Sequence, residues 1–172
     1  MLWSLKYEPK TFGQYLGNRK QLEIAKKWIS HIKRKETISY KPLIIQGDNS
    51  VGKTCFAKLI LNNNKFFIIN FDYDLFTEKN KIRQGLSRYL QSNTIEKTMF
   101  KKKIDKSILI EDIDSVKDRY LCKDLITFIK EKQDKITVPI VITCKKNKLK
   151  TLHKYCTVIT LYPPTSGNLF KY

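Results

Sequence analysis

Leu43-Ile44-Ile45-Gln46-Gly47-Asp48-Asn49-Ser50-Val51-Gly52-Lys53-Thr54-Cys55 is the stretch that decides the fold of this chain. The apolar run after Pro42 predicts a short buried strand, and the mostly apolar segment from Cys55 to Leu61 predicts a helix. Between them Gly47, Gly52, Lys53 and Thr54 stand at the spacing G-x-x-x-x-G-K-[ST]. A glycine loop joining a strand to a helix can wrap backbone N–H groups and a helix amino terminus around a chain of phosphates, whose negative charge the helix dipole favours. The residues Gly47, Asp48, Asn49, Ser50, Val51, Gly52, Lys53, Thr54 and Cys55 are therefore expected to bind a nucleoside triphosphate, ATP with Mg²⁺. Lys53 would neutralise the outer phosphates and the Thr54 hydroxyl would ligate the metal. The competing reading is a chance glycine loop, and the flanking strand and helix weigh against it.

Working outward, Leu22, Ala25, Trp28, Ile29 and Ile32 recur at helical spacing from Asn18 to Lys35, with Asn18 as a cap and Gln21 able to reach back to it. After the glycine loop, Phe66 to Phe71 reads as a buried strand bounded by Asn62-Asn63-Asn64 and Asp72. A helix is predicted over Glu78 to Gln91, and a strand over Ser107 to Ile110. A helix from Leu121 to Lys132 follows, then strands at Pro139 to Cys144 and Thr157 to Leu161 with a short helix, Leu149 to Lys154, between them. Apolar strands alternating with helices imply a mainly parallel sheet covered on both faces. The lysine-rich stretch from Asn93 to Lys106 is expected to be a loop or helix end.

The 172 residues suit one domain, and a hydrophobic content of 41% suffices for a core. Lys and Arg outnumber Asp and Glu by 34 to 16, a formal charge of +18. Such charge points to a polyanion, nucleic acid first, or else to a compositional bias that merely decorates a solvated surface. Cys55, Cys122, Cys144 and Cys156 show neither CxxC nor Cys/His ligand spacing, so zinc and a disulfide framework are not indicated and reduced thiols are expected. The start of the chain lacks the pattern of a signal peptide, and no apolar run approaches membrane-spanning length. An intracellular protein without membrane contact is expected.

A loop of this kind needs a second, acidic site at the end of another buried strand. Ile108-Leu109-Ile110-Glu111-Asp112-Ile113-Asp114 supplies it, with carboxylates able to hold a metal's hydration shell and orient water. With these residues in view, the chain resembles the ATPase domain of AAA+ clamp loaders, the large subunit of replication factor C above all. Leu2-Trp3-Ser4-Leu5-Lys6-Tyr7-Glu8-Pro9-Lys10 resembles that family's opening segment near the adenine, which implies Tyr7 and Pro9 as base-proximal residues. Gly17-Asn18 and Trp28 resemble the next helix, Val138 to Cys144 the strand leading to the sensor residue, and His153-Lys154-Tyr155-Cys156 with Pro163-Pro164 the end of the core. The resemblance implies an α/β, P-loop NTPase (AAA+) core with a five-stranded, mainly parallel sheet between helices and no helical lid. It divides the single domain into an adenine-proximal segment, 1–17, a core, 18–162, and a tail, 163–172.

The departures from the family pattern carry as much information. Where the family has aspartate then glutamate, this chain has Glu111 then Asp112, which implies Glu111 beside the metal with Thr54 and both carboxylates as the catalytic pair, their lengths exchanged. Misplacing a catalytic group by about an ångström costs on the order of a hundredfold in rate. The sensor asparagine falls on Lys145, or on Asn147 if the alignment shifts. The arginine finger falls on Lys154-Tyr155-Cys156 and is missing, as in the large subunits, while Arg88 reads as a solvated helix residue. The resemblance implies ATP·Mg²⁺ binding with weak or partner-dependent hydrolysis. It further implies other clamp-loader subunits, a sliding clamp and sequence-independent DNA contact as partners, in a nuclear, cytoplasmic or viral replication setting. Without lid and collar, assembly by the usual collar contacts is not expected. The alternative is a non-enzymatic adaptor that binds DNA or a replication complex on a degenerate fold of the same kind. A small P-loop kinase is disfavoured, since no arginine-rich lid is present.

Overall fold

Among the residues that the computed structural model describes, five short strands form a parallel sheet in the order β2-β3-β4-β1-β5. The structure describes residues 6–34, 39–71, 83–90, 105–115 and 119–165. In chain order the elements are α1 (Arg19–Arg34), β1 (Leu43–Gln46), α2 (Lys53–Asn63), β2 (Phe67–Asn70), α3 (83–90), β3 (Lys106–Ile110), α4 (Arg119–Lys132), β4 (Ile140–Cys144) and β5 (Thr157–Thr160). Each expected strand is present, and all four strand pairings among the described residues are parallel. Trp3 and the lysines at 101–103 lie outside the described residues.

Strand residues alternate between two faces, and the sheet is apolar on both. Leu43, Ile45, Leu109, Val141 and Ile159 point to one face, where they pack with Leu22, Trp28 and Ile29 of α1 and Phe56 and Ile60 of α2. Ile44, Ile108, Ile110, Ile140 and Ile142 point to the other, against Leu86 of α3 and Leu125, Phe128 and Ile129 of α4. The Trp28 indole N–H, buried with its ring, donates to the Lys41 carbonyl at 2.7 Å and ties α1 to the entry of β1.

Three local expectations need correction. Phe67 is 58% exposed rather than core, because β2 is the edge strand; its neighbours Phe66 and Phe71 are buried. The Asn18 side chain does not turn to Gln21. Its amide donates to the Tyr162 carbonyl and its oxygen accepts the Tyr162 N–H, both at 2.9 Å, which fastens the start of α1 to the exit of β5. The short helix before β5 is a single 3₁₀ turn, Lys150–Leu152.

Candidate functional site

The carboxyl ends of β1, β4 and β3 lie side by side, with β4 between the strand that feeds the glycine loop and the strand that ends in acidic residues. Open parallel sheets bind ligands at this edge. The loop leaves β1 through Gly47, whose N–H donates to the Cys144 carbonyl at 3.3 Å. A Cβ at Gly47 would stand 2.9 Å from both the Leu161 carbonyl oxygen and Val51 Cγ2, so only glycine fits. Ser50 (φ 63°) and Gly52 (φ 87°) adopt left-handed backbone, and α2 starts at the next residue.

Lys53 is 7% exposed, and its ammonium curls back over the loop. It donates to the Asp48 carbonyl at 3.0 Å and, more weakly, to the Gly47 carbonyl at 3.4 Å. Its Nζ lies 3.9 Å from Asp112 Oδ1 across the cleft. Thr54 and Cys55 are half-buried in the first turn of α2. Burial, with Glu8 nearby, raises the Cys55 thiol pKa.

The acidic strand end divides its carboxylates. Glu111 Oε1 pairs with Lys58 Nζ at 3.2 Å. Lys58 is four residues beyond Thr54 and shares its helix face, so Glu111 lies along the side of α2 that carries the Thr54 hydroxyl. Asp112 instead enters the cleft. Its backbone is left-handed (φ 42°), and its N–H donates to the Oγ1 of Thr143, a fully buried residue of β4, at 2.8 Å. Asp114 Oδ1 accepts the Lys145 N–H at 2.8 Å, which fixes the loop leaving β4.

The result is a cleft of about 360 Å³ lined by Asn49, Ser50, Lys53, Asp112 and Lys145. Of the two sensor candidates, Lys145 lines it. Asn147 turns to β1, where its N–H donates to Gln46 Oε1 at 3.1 Å while Gln46 Nε2 donates to Thr160 Oγ1 at 2.9 Å. Tyr7 is exposed, Pro9 is half-exposed, and neither lines the cleft. Their segment runs along α2, with Glu8 near Cys55 and the Lys10 carbonyl accepting from Asn63 Nδ2 at 3.0 Å. At the missing arginine-finger position, Lys154 is exposed and Cys156 is a buried thiol whose pKa burial pushes up to about 12. Arg88 is exposed, as expected.

Sequence reasoning missed Thr143 and Gln46 as supports of this site, and it placed Asp114 among the acidic residues without foreseeing that it would hold the Lys145 N–H. A threonine inside an apolar strand and a glutamine at the end of another were the available signals, since buried polar groups require partners.

The residues present fit a phosphate chain: a glycine cradle that a Cβ would fill, left-handed loop backbone, and a sheltered ammonium facing a carboxylate. With the parallel order β2-β3-β4-β1-β5, they have the arrangement of the P-loop NTPase fold of the AAA+ type. Among solved structures, the chain superposes on the Holliday junction branch migration motor RuvB of Thermotoga maritima with a TM-score of 0.64 at 14% identity, covering 96% of this chain and 52% of that one. No protein-family model matches. The replication factor C large subunit of Methanococcus aeolicus is 28% identical over 167 residues, 94% of this chain and 33% of that protein. The putative replication factor C large subunit of Acanthamoeba polyphaga mimivirus is 24% identical, over 92% of this chain and 33% of its own length. Replication factor C subunit 1 of Arabidopsis thaliana is 27% identical over 98% of the chain and 20% of its own length. The chain has the fold of an AAA+ P-loop NTPase core and is similar in sequence to the replication factor C large subunits. It spans a third or less of the length of these relatives.

Proposed function

We propose that this chain binds ATP·Mg²⁺ and acts as a clamp-loader-like, large-subunit-type component in DNA replication or repair, with other loader subunits, a sliding clamp and DNA as partners. The observation that carries the reading is the Lys53 ammonium, sheltered at the mouth of the glycine loop and 3.9 Å from Asp112. It now satisfies itself on the Asp48 and Gly47 carbonyls, bonds that phosphate oxygens would replace with stronger, charge-assisted ones. Thr54 and Glu111, on one side of α2, are the residues that would hold the metal, whose charge offsets that of the phosphates. Cys55 follows Thr54 in the same helical turn, and Tyr7 and Pro9 belong to the base end of the site.

The carboxylate in the cleft is Asp112, one methylene shorter than glutamate, while Glu111 is drawn to Lys58. This supports weak or partner-dependent hydrolysis, and it is also what favours the second reading, a non-enzymatic adaptor on the same fold. Nucleotide titration of the protein against Lys53→Ala tests binding. Loss of one charged hydrogen-bond donor is expected to weaken ATP by roughly tenfold to a hundredfold, and equal affinities would sink the proposal. Turnover measured with primed DNA and clamp separates the two readings, because robust DNA-stimulated hydrolysis removes the adaptor.

A further inference from the structure

The first two carboxylates after β3 each face a lysine of α2: Asp112 Oδ1 lies 3.9 Å from Lys53 Nζ, and Glu111 Oε1 lies 3.2 Å from Lys58 Nζ. The two lysines differ in what a nucleotide does to them. Lys53 lines the cleft, so phosphates draw its ammonium to themselves and away from Asp112. Lys58 does not line the cleft, so phosphates held there leave its hold on Glu111 in place. Thr143 keeps the strand end in this arrangement, since its buried hydroxyl accepts the Asp112 N–H at 2.8 Å and fixes the left-handed turn that sends the two carboxylates apart.

Lys58 follows Thr54 by one helical turn, about 6 Å along the axis, on the same side of α2. For Glu111 to serve a cation together with Thr54, its charge has to be released from Lys58. From this placement, and resting on the nucleotide reading above, we infer that Lys58 is a positioning residue that competes with Mg²⁺ for Glu111. The site consequently requires more Mg²⁺ to complete ATP binding than Thr54 and Glu111 alone would set. The pair is only partly sheltered, with the Lys58 side chain 38% and the Glu111 side chain 34% exposed, so the contact is weak enough to yield to a divalent cation. A contact of this kind corresponds to a shift of roughly two- to fivefold in the Mg²⁺ requirement.

The test is titration of Mg²⁺ into the protein with ATP held at a fixed concentration, bound nucleotide being read by the fluorescence of a labelled ATP. Lys58→Met, Lys58→Arg, Glu111→Gln and the double variant Lys58→Met with Glu111→Gln are compared with the parent. The Lys58 side chain is partly exposed, so the methionine variant is expected to fold, and its unfolding curve checks this. The expected result is that Lys58→Met reaches half-saturation at a Mg²⁺ concentration roughly two- to fivefold below the parent's. Lys58→Arg, which keeps the charge, keeps the high requirement, and in the Glu111→Gln background most of the effect of Lys58→Met is gone. A parent whose ATP binding is indifferent to Mg²⁺, a requirement in Lys58→Met equal to or above the parent's, or an equal fall in the Glu111→Gln background overturns the inference while leaving nucleotide binding intact. If Lys53→Ala binds ATP as the parent does, the nucleotide reading itself falls, and this inference with it.

Discussion

Gly47 has a methyl-sized space denied to it on two sides: by the Leu161 carbonyl oxygen, which is backbone, and by Val51 Cγ2, which is a side chain. Gly47→Ala therefore has to move the loop or the end of β5. We expect a loss of about 1–3 kcal/mol in denaturant unfolding, the usual range for overpacking, and weaker nucleotide binding as the cradle shifts. Adding Val51→Ala to that variant is expected to recover only part of the loss, because the clash with the Leu161 carbonyl remains. An alanine variant as stable as the parent would show that the loop and β5 do not approach so closely. Gly52 differs in kind: nothing stands within 4 Å of its would-be Cβ, and its requirement is the left-handed φ of 87°. The two glycines of one motif thus serve a close approach and a backbone conformation respectively, a division that spacing alone does not reveal.

At the scale of elements, legibility followed the number of covered faces. β1, β3 and β4 have neighbours on both sides in the sheet and packing on both faces, so their unbroken apolar runs read correctly as buried strands. β2 carries a similar run but sits at the sheet edge, where Phe67 is 58% exposed while Phe66 is buried among residues of the α1 and α2 layer. Removing the Phe66 ring is expected to cost about 3–5 kcal/mol, whereas Phe67→Ser is expected to stay within roughly ±0.5 kcal/mol. Comparable losses at both positions in denaturant unfolding would mean that β2 is covered in solution. The site divides in the same way. The glycine loop was legible because its chemistry lies within consecutive residues. The bonds from Asp112 to Thr143 and from Lys145 to Asp114 each span 31 residues and exist only because β3 and β4 pair in register, with Ile110 opposite Ile142. Local spacing could place the two carboxylates at one strand end; it could not say that Asp112 enters the cleft while Glu111 turns to Lys58.

For the molecule as a whole, the charge of +18 has to be either gathered or spread, and the fold gathers part of it. The paired bonds between Asn18 and the Tyr162 backbone bring the start of α1 beside the exit of β5, and Lys146 sits 5.7 Å over the Tyr162 ring. Arg19 and Lys20, both exposed, follow Asn18 directly in the chain, and Lys145, Lys146 and Lys148 are exposed as well. Lys26, nearly two turns further, is already paired with Glu23 at 2.8 Å and is a weaker candidate for a phosphate contact. If this surface meets DNA, as the proposed function requires, binding releases condensed counterions, and the logarithm of affinity falls linearly with that of salt by about 0.9 per phosphate neutralised. Unrelated duplexes of equal length should bind alike. Replacing Arg19, Lys20 and Lys146 together by alanine is expected to reduce the salt slope by roughly one for each residue that contacts a phosphate. Lys26→Ala should change it little. Fluorescence anisotropy with labelled duplex over a series of salt concentrations measures both quantities. A slope unaltered in the triple variant would place the contact elsewhere, and no measurable binding at low salt would mean that the lysines serve only to solvate the surface.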